Sequence, residues 1–237
     1  MRIEILRRAS GEEKARWQRF SYEPASEAET VATALTRLNE REPLRDEEGR
    51  EVPPIRWDCS CLQKKCGACA MVVNGRPRLA CEALLTDYPK GLRLEPLRKF
   101  PVVADLVVDR SVLFENLEKL RLWLEAEPVR TDAAVETAYE ASRCLQCGCC
   151  LEVCPNFAPG GPFAGMAAAV PMTRLLVQLP SSERKELAAL YRGHIYEGCG
   201  KSLACRDICP AGIDIEAMLV SSNAIAVWKR LNRRSRR

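Results

Sequence analysis

Polar and apolar residues alternate from Met1 to Arg8, placing Ile3 and Ile5 on one face, and alternate again from Trp17 to Tyr22 beyond a polar turn at Ser10-Gly11. A period of two is that of a half-buried strand, so the pattern predicts an opening hairpin. From Ala28 to Asn39 the period lengthens. Val31, Ala34, Leu35 and Leu38 recur at helical spacing, with Ser26 as the N-cap candidate and Glu27 and Glu29 expected in the first turn. Residues 40–54 are charged and proline-bearing, which predicts a loop. Met71 to Arg76 reads as a second hairpin, because Asn74-Gly75 offers the two positive φ angles of a type I′ turn. Leu92 to Leu97 predicts another strand, and a first domain over residues 1–100 is expected to close near Phe100-Pro101.

Beyond that point only helices and loops are expected. Val112 to Leu124 carries apolar residues at 113, 117, 120 and 124, and Ala133 to Ala141 continues in helical composition. Phe163 to Leu179 predicts a helix disturbed at Pro171, and Ser182 is placed to cap a helix running through Tyr191. A last helix is expected after Asp214, reaching about Leu231. The second domain, residues 101–237, is therefore all-α, and the chain as a whole is α+β.

With 237 residues and 47% hydrophobic content, the chain can fill a core in each domain. No apolar run approaches the roughly 20 residues that cross a bilayer, and Met1 to Arg8 lacks the apolar core of a signal peptide. The net charge is only +4, yet Lys229, Arg230, Arg233, Arg234, Arg236 and Arg237 crowd the end with no acid after Glu216. A solvated tail is the plain reading. Contact with anionic headgroups, worth about 1 kcal/mol per basic residue, is the sharper one.

The thirteen cysteines change the picture most. Their number is odd, several are too close in sequence to pair, and nothing marks the chain for an oxidising compartment, so metal-bound thiolates are expected. Cys144, Cys147, Cys150 and Cys154-Pro155 form the Cys-x2-Cys-x2-Cys-x3-Cys-Pro run of bacterial ferredoxins, in which the last cysteine serves a second cluster. Cys199, Cys205 and Cys209-Pro210 repeat it with Ser202 at the place of the missing cysteine. Exchange of the last cysteines puts a 4Fe-4S cluster on Cys144, Cys147, Cys150 and Cys209, and leaves Cys154, Cys199 and Cys205 for a 3Fe-4S cluster. Cys61, Cys66 and Cys69 are spaced Cys-x4-Cys-x2-Cys, and with Cys81 they make the plant-type 2Fe-2S arrangement. Zinc is the competing ligand for these four, but structural zinc usually pairs two short knuckles, and Cys81 has no near neighbour. Cys59 and Cys149 remain, each expected to be a small buried side chain.

Other chemistry is sparsely supported. His194 is the only histidine and no motif places a nucleophile beside it, so a structural or surface role is expected. The glycines near 160 and 198 fit neither a phosphate loop nor a dinucleotide fingerprint. Nucleic-acid binding rests on the basic tail alone, without interleaved aromatics.

With the three cysteine groups in this order, the chain resembles the iron–sulfur subunits of succinate dehydrogenase and fumarate reductase. The resemblance runs through Ser60-Cys61, Cys66-Gly67-Ala68-Cys69-Ala70-Met71, the Asn74-Gly75 turn, Leu79-Ala80-Cys81 and both Cys-Pro-terminated runs. It implies a β-grasp plant-type ferredoxin domain followed by a helical, bacterial-ferredoxin-like domain. It also implies a role without catalysis of its own: single electrons pass between a flavoprotein that holds FAD and interconverts succinate and fumarate, and a membrane-anchor subunit that binds quinone, with haem where the anchor carries it. Peripheral attachment at the cytoplasmic face of the inner membrane follows from the same resemblance. The chain departs from the family pattern at Lys65, commonly glycine, at Cys59, at Asn156-Phe157 and Ala211 near the quinone end, and at Ser202, usually apolar. The alternative within redox chemistry is a soluble thiol-dependent fumarate reductase or hydroxyacid oxidase, whose subunits often carry a Cys-Cys-Gly motif; here Cys149-Cys150 is followed by Leu151.

Overall fold

The structure, a computed structural model, describes residues 1–11 and 14–228. The chain forms two compact units, Met1–Arg110 and Ser111 onward. Among the described residues no helix is long and apolar enough to cross a membrane.

The first unit is built on a five-stranded mixed sheet. β1 (Arg2–Arg7) pairs antiparallel with β2 (Arg16–Ser21), so that Ile3 faces Phe20, and pairs parallel with β5 (Leu92–Glu95). β3 (Ala70–Val73) and β4 (Arg76–Leu79) complete the order β2-β1-β5-β3-β4. Ile3, Ile5, Phe20, Met71, Val72, Leu79, Leu92 and Leu94 are buried, with Ile3 and Ile5 on the face where the alternation placed them. The β3–β4 turn has φ of 46° at Asn74 and 83° at Gly75, as a type I′ turn requires.

The helix α1 (Val31–Asn39) starts later than its acidic residues suggest. Thr30, not Ser26, is the cap, its Oγ1 accepting from the Thr33 N–H at 3.2 Å. Glu29 lies before the helix, buried, and its carboxylate accepts from the Tyr22 hydroxyl at 2.6 Å and the Ala25 N–H at 3.0 Å and pairs with Arg37. The Tyr22 hydroxyl holds that carboxyl below the usual carboxylate range.

The first unit extends about ten residues beyond the expected boundary because a short ribbon, β6 (Val102–Ala104) with β7 (Val107–Val108), belongs to it. Strands of two and three residues carry too little periodicity to be read. Its turn residue Asp105, at φ 45°, accepts from the Arg8 N–H at 3.0 Å and the Arg56 N–H at 2.9 Å, and its carboxylate lies 2.9 Å from Arg7 Nε. Arg7 also donates to Gln18 and to the carbonyls of Pro53 and Pro54.

The second unit is helical. α2 (Ser111–Lys119) is shorter than its pattern: Arg121 adopts φ 52°, the Leu122 N–H reaches Leu117 O and the Arg121 N–H reaches Glu118 O. These paired bonds form a Schellman stop with arginine where glycine is usual, so no residue announced it. α3 (Asp132–Ser142) follows a Thr131 cap, and a single turn, α4 (Cys149–Glu152), lies inside the first Cys-Pro run. α5 (Met166–Gln178) is the buried centre of the unit and runs through Pro171 without breaking. α6 (Arg184–Tyr191) lacks the Ser182 cap and passes into a π-helical turn, Arg192–Tyr196. α7 (Ile215–Asn223) is capped by Asp214, which accepts from the Ala217 N–H at 2.9 Å, and continues as a π-helical turn to Trp228. The basic tail and the last residues of the expected helix lie outside the described residues.

Asp105 supplies the nearest opposite charge to a buried arginine. Asp105→Asn keeps a residue that tolerates positive φ but leaves the buried Arg7 charge without the carboxylate it pairs with. A loss of about 3 kcal/mol is expected, read as a lower urea midpoint for the first unit; an unchanged midpoint would show that the carbonyls and Gln18 suffice.

Candidate iron–sulfur sites

Three groups of thiols emerge, one in the first unit and two in the second. In the first, the loop from Cys61 to Cys69 precedes β3, and Cys81 follows β4, so the hairpin returns Cys81 beside Cys69 with 3.4 Å between their sulfurs. Cys61 and Cys66 are within hydrogen-bond reach of each other. The thiols therefore stand as two pairs. Backbone amides point at them: Gln63 N and Lys65 N lie 3.4 and 3.3 Å from Cys61 Sγ, Lys64 N lies 3.3 Å from Cys81 Sγ, and Ala68 N lies 3.5 Å from Cys66 Sγ. Left-handed residues, Leu62 at φ 52°, Lys64 at 59° and Gly67 at 76°, turn those amides inward. The Gln63 and Lys65 amides lower the Cys61 thiol to about 7, whereas burial raises Cys69 to about 12.

Arg110 is the residue of this site that sequence reasoning missed. Its guanidinium donates to the carbonyls of Gly67 at 3.0 Å, Ala68 at 2.7 Å and Ala70 at 3.2 Å, fixing the outward side of the loop whose amides face the sulfurs. No motif links it to the cysteines. Lys65, where the family commonly has glycine, contributes through its backbone amide, so the side chain can vary.

In the second unit Cys209 of the second Cys-Pro run stands with the first three cysteines of the first run, and Cys154 with those of the second. Cys144 lies within electrostatic reach of Cys147 and Cys209, and Cys150 within reach of Cys147, Cys144, Cys205 and Cys209. Cys144, Cys147, Cys150 and Cys209 line one cavity with Met166, Val170, Ile213 and Ile215. Cys205 in turn interacts with Cys154 and Cys199. Burial pushes Cys144 and Cys205 up to about 11 and Cys150 well above the usual thiol range. Iron must displace these protons, so loading is favoured by rising pH.

The two runs share one backbone device. Two and four residues after the first cysteine, the chain is left-handed: Gln146 at φ 49° and Gly148 at 86° in the first run, Lys201 at 54° and Leu203 at 55° in the second. Ser202 thus occupies the counterpart of Cys147, but it is exposed where Cys147 is buried.

The donor sets suit iron–sulfur clusters better than zinc. Among the described residues no three of His, Cys, Asp and Glu are arranged to hold a single ion. Thiols in pairs with amides directed at sulfur suit a cluster, which carries its own bridging sulfides and excess negative charge. Of the two remaining cysteines, Cys149 is buried as expected, but Cys59 is exposed, in a segment without helix or strand. His194 is half-buried, its Nδ1 2.9 Å from Pro162 O, in a structural setting.

Comparison with known proteins places the chain in a family. Residues 2–115 match a 2Fe-2S iron-sulfur cluster binding domain, and residues 140–213 match a 4Fe-4S dicluster domain. The chain is 37% identical over 206 residues to the succinate dehydrogenase iron-sulfur subunit of Bacillus subtilis, covering 81% of this chain and 79% of that one. It is 31% identical over 176 residues to the fumarate reductase iron-sulfur subunit of Escherichia coli, covering 70% of this chain and 72% of that one. A chain of the Mycobacterium smegmatis Sdh1 complex in the apo form shares the fold, with a TM-score of 0.75 at 22% identity over 95% of each chain. The chain belongs to the family of iron–sulfur subunits of succinate dehydrogenase and fumarate reductase.

Proposed function

We propose that the chain is the electron-transfer subunit of a succinate:quinone or quinol:fumarate oxidoreductase. In this reading Cys61, Cys66, Cys69 and Cys81 hold a 2Fe-2S cluster. Cys144, Cys147, Cys150 and Cys209 hold a 4Fe-4S cluster, and Cys154, Cys199 and Cys205 hold a 3Fe-4S cluster. The observation that carries it is the sorting of these thiols into three groups, two of them crossed between the Cys-Pro runs. The names of the relatives favour succinate dehydrogenase and fumarate reductase over the soluble hydroxyacid-oxidase alternative.

When bound, such clusters supply one-electron carriers in series. The chain's own residues supply the setting. Thiolates hold iron, and the amides of Gln63, Lys64, Lys65 and Ala68 stabilise negative sulfur at the first site. Arg110 holds the Gly67 carbonyl of the peptide whose N–H, that of Ala68, is aimed at Cys66, and Met166, Val170, Ile213 and Ile215 keep water from the second site. With no nucleotide or flavin motif in the sequence, hydride chemistry on succinate or fumarate falls to a flavoprotein partner carrying FAD, and quinone chemistry to a membrane anchor that holds this chain peripherally.

The loaded chain is expected to contain about nine irons. Purified alone and assayed with a dye, it is expected to turn over neither succinate nor fumarate, and to couple the two half-reactions only when flavoprotein and anchor are restored. Turnover by the isolated chain, or a zinc-dominated preparation, would sink the reading.

Ser202 gives a sharper test. It is flanked by left-handed residues as Cys147 is, which makes it the place where a cysteine would stand as a ligand. A serine hydroxyl gives up its proton far less readily than a thiol, and holds a fourth iron weakly or not at all. The oxidised protein should therefore show an EPR signal of about one spin per chain from three ferric ions. Ser202→Cys is expected to abolish that signal and raise the iron content by about one per chain. Retention of the signal in a fully loaded variant would rule out conversion at this position.

A further inference from the structure

We propose that Gln146 is a positioning residue for the site on Cys144, Cys147, Cys150 and Cys209: its side-chain amide donates to the Cys144 sulfur and thereby raises the reduction potential of that site. The inference rests on the ligand assignment above.

Gln146 sits between two cysteines of the first run with φ of 49°, and this left-handed backbone aims its own N–H at the Cys144 sulfur. The side chain adds a second donor to the same atom. Its Nε2 lies 3.2 Å from Cys144 Sγ and 2.8 Å from the carbonyl oxygen of Ala167. The Ala167 carbonyl can only accept, and so can the sulfur as a thiolate, so the amide faces them through its nitrogen; exchanging oxygen and nitrogen would set an oxygen against a carbonyl. Oε1 is left buried with no hydrogen-bond partner. An orphaned acceptor is unfavourable, and it persists here because the orientation that would relieve it loses both donors.

The carbonyl that anchors Gln146 is available for a specific reason. In a regular helix Ala167 O would accept from the N–H four residues on, but that residue is Pro171, which has none. The proline that the helical pattern reads as a disturbance thus leaves one carbonyl of α5 open, and the glutamine amide fills it. One hydrogen of the amide is committed to the helix and the other is held on the sulfur. A hydrogen bond to a cluster thiolate draws charge from sulfur and stabilises the reduced, more negative state more than the oxidised one, so the potential rises. A merely structural Gln146, satisfying the Ala167 carbonyl, would leave the potential unmoved.

The test is an EPR-monitored redox titration of the assembled complex. Gln146→Leu is expected to shift the reduction equilibrium of the 4Fe-4S site about tenfold toward the oxidised form, a fall of about 59 mV for one electron, with the other two midpoints unmoved. Gln146→Glu, nearly isosteric but a carboxylate, should lower it further. Pro171→Ala, which returns a competing N–H to Ala167 O, should lower it partway. An unchanged midpoint in fully loaded Gln146→Leu protein overturns the proposal, and so does an equal fall at all three sites. Where a variant loses its cluster, wild-type protein carrying 15N at glutamine side-chain amides decides: pulsed EPR of the reduced site should show a 15N coupling, and its absence refutes the hydrogen bond. Failure of the ligand assignment reads differently, as Cys144→Ser protein that keeps the 4Fe-4S signal unaltered.

Discussion

The constraint on which this structure turns is the negative charge of sulfur removed from water. A thiolate among apolar side chains must be stabilised by something other than solvent, and the nearest donors are the backbone amides of its own loop. Amides in ordinary helical or extended segments point along or across the chain, so a loop that aims several at one spot must pass through left-handed residues. Leu62, Lys64 and Gly67 do so around the first site, Gln146 and Gly148 around the second, and Lys201 and Leu203 around the third. Only two of these seven are glycines. The others hold a conformation that costs side-chain-bearing residues of order 1 kcal/mol each, which the thiol environment must offset.

Each unit supplies rigidity where its loops need it. In the first, the β3–β4 hairpin closes the distance between Cys69 and Cys81, and Arg110 clamps three carbonyls on the far side of the loop. In the second, α5 is the fixed element, with nine buried residues and Pro171 at its middle. Both devices work through carbonyls: when the outward acceptors of a strained loop or helix are satisfied, the inward donors stay aimed.

Much of this was legible because it is written in periodicity and spacing. The Ile3/Ile5 alternation and the Asn74-Gly75 turn each map onto one backbone geometry, so the opening hairpin and the second hairpin could be read directly, and the cysteine intervals pointed to three thiol groups. What escaped lacks a local code. Thr30 outcompetes Ser26 as a cap because Glu29 is drawn into a buried contact with Tyr22, a tertiary event. Arg121 ends α2 where glycine would have signalled a stop, and the ribbon at 102–108 is held by Asp105 through contacts to residues far away in sequence. Arg110 lies 29 residues beyond the last cysteine of its site.

The thiol environments also bear on how such a chain matures. Without iron, Cys69, Cys144 and Cys205 are held protonated by burial, at about 12, 11 and 11, while Cys61 near the surface is brought down to about 7. A thiol that ionises near neutrality is the one from which iron can first displace a proton. Cys61 is thus lowered by its loop amides and Cys69 raised by burial, and in the second unit burial raises Cys144, Cys150 and Cys205. Their protons leave when metal charge replaces them, so folding of the helical unit around its cysteines and loading of its sites are coupled steps. The same burial that resists loading later excludes water from the loaded sites.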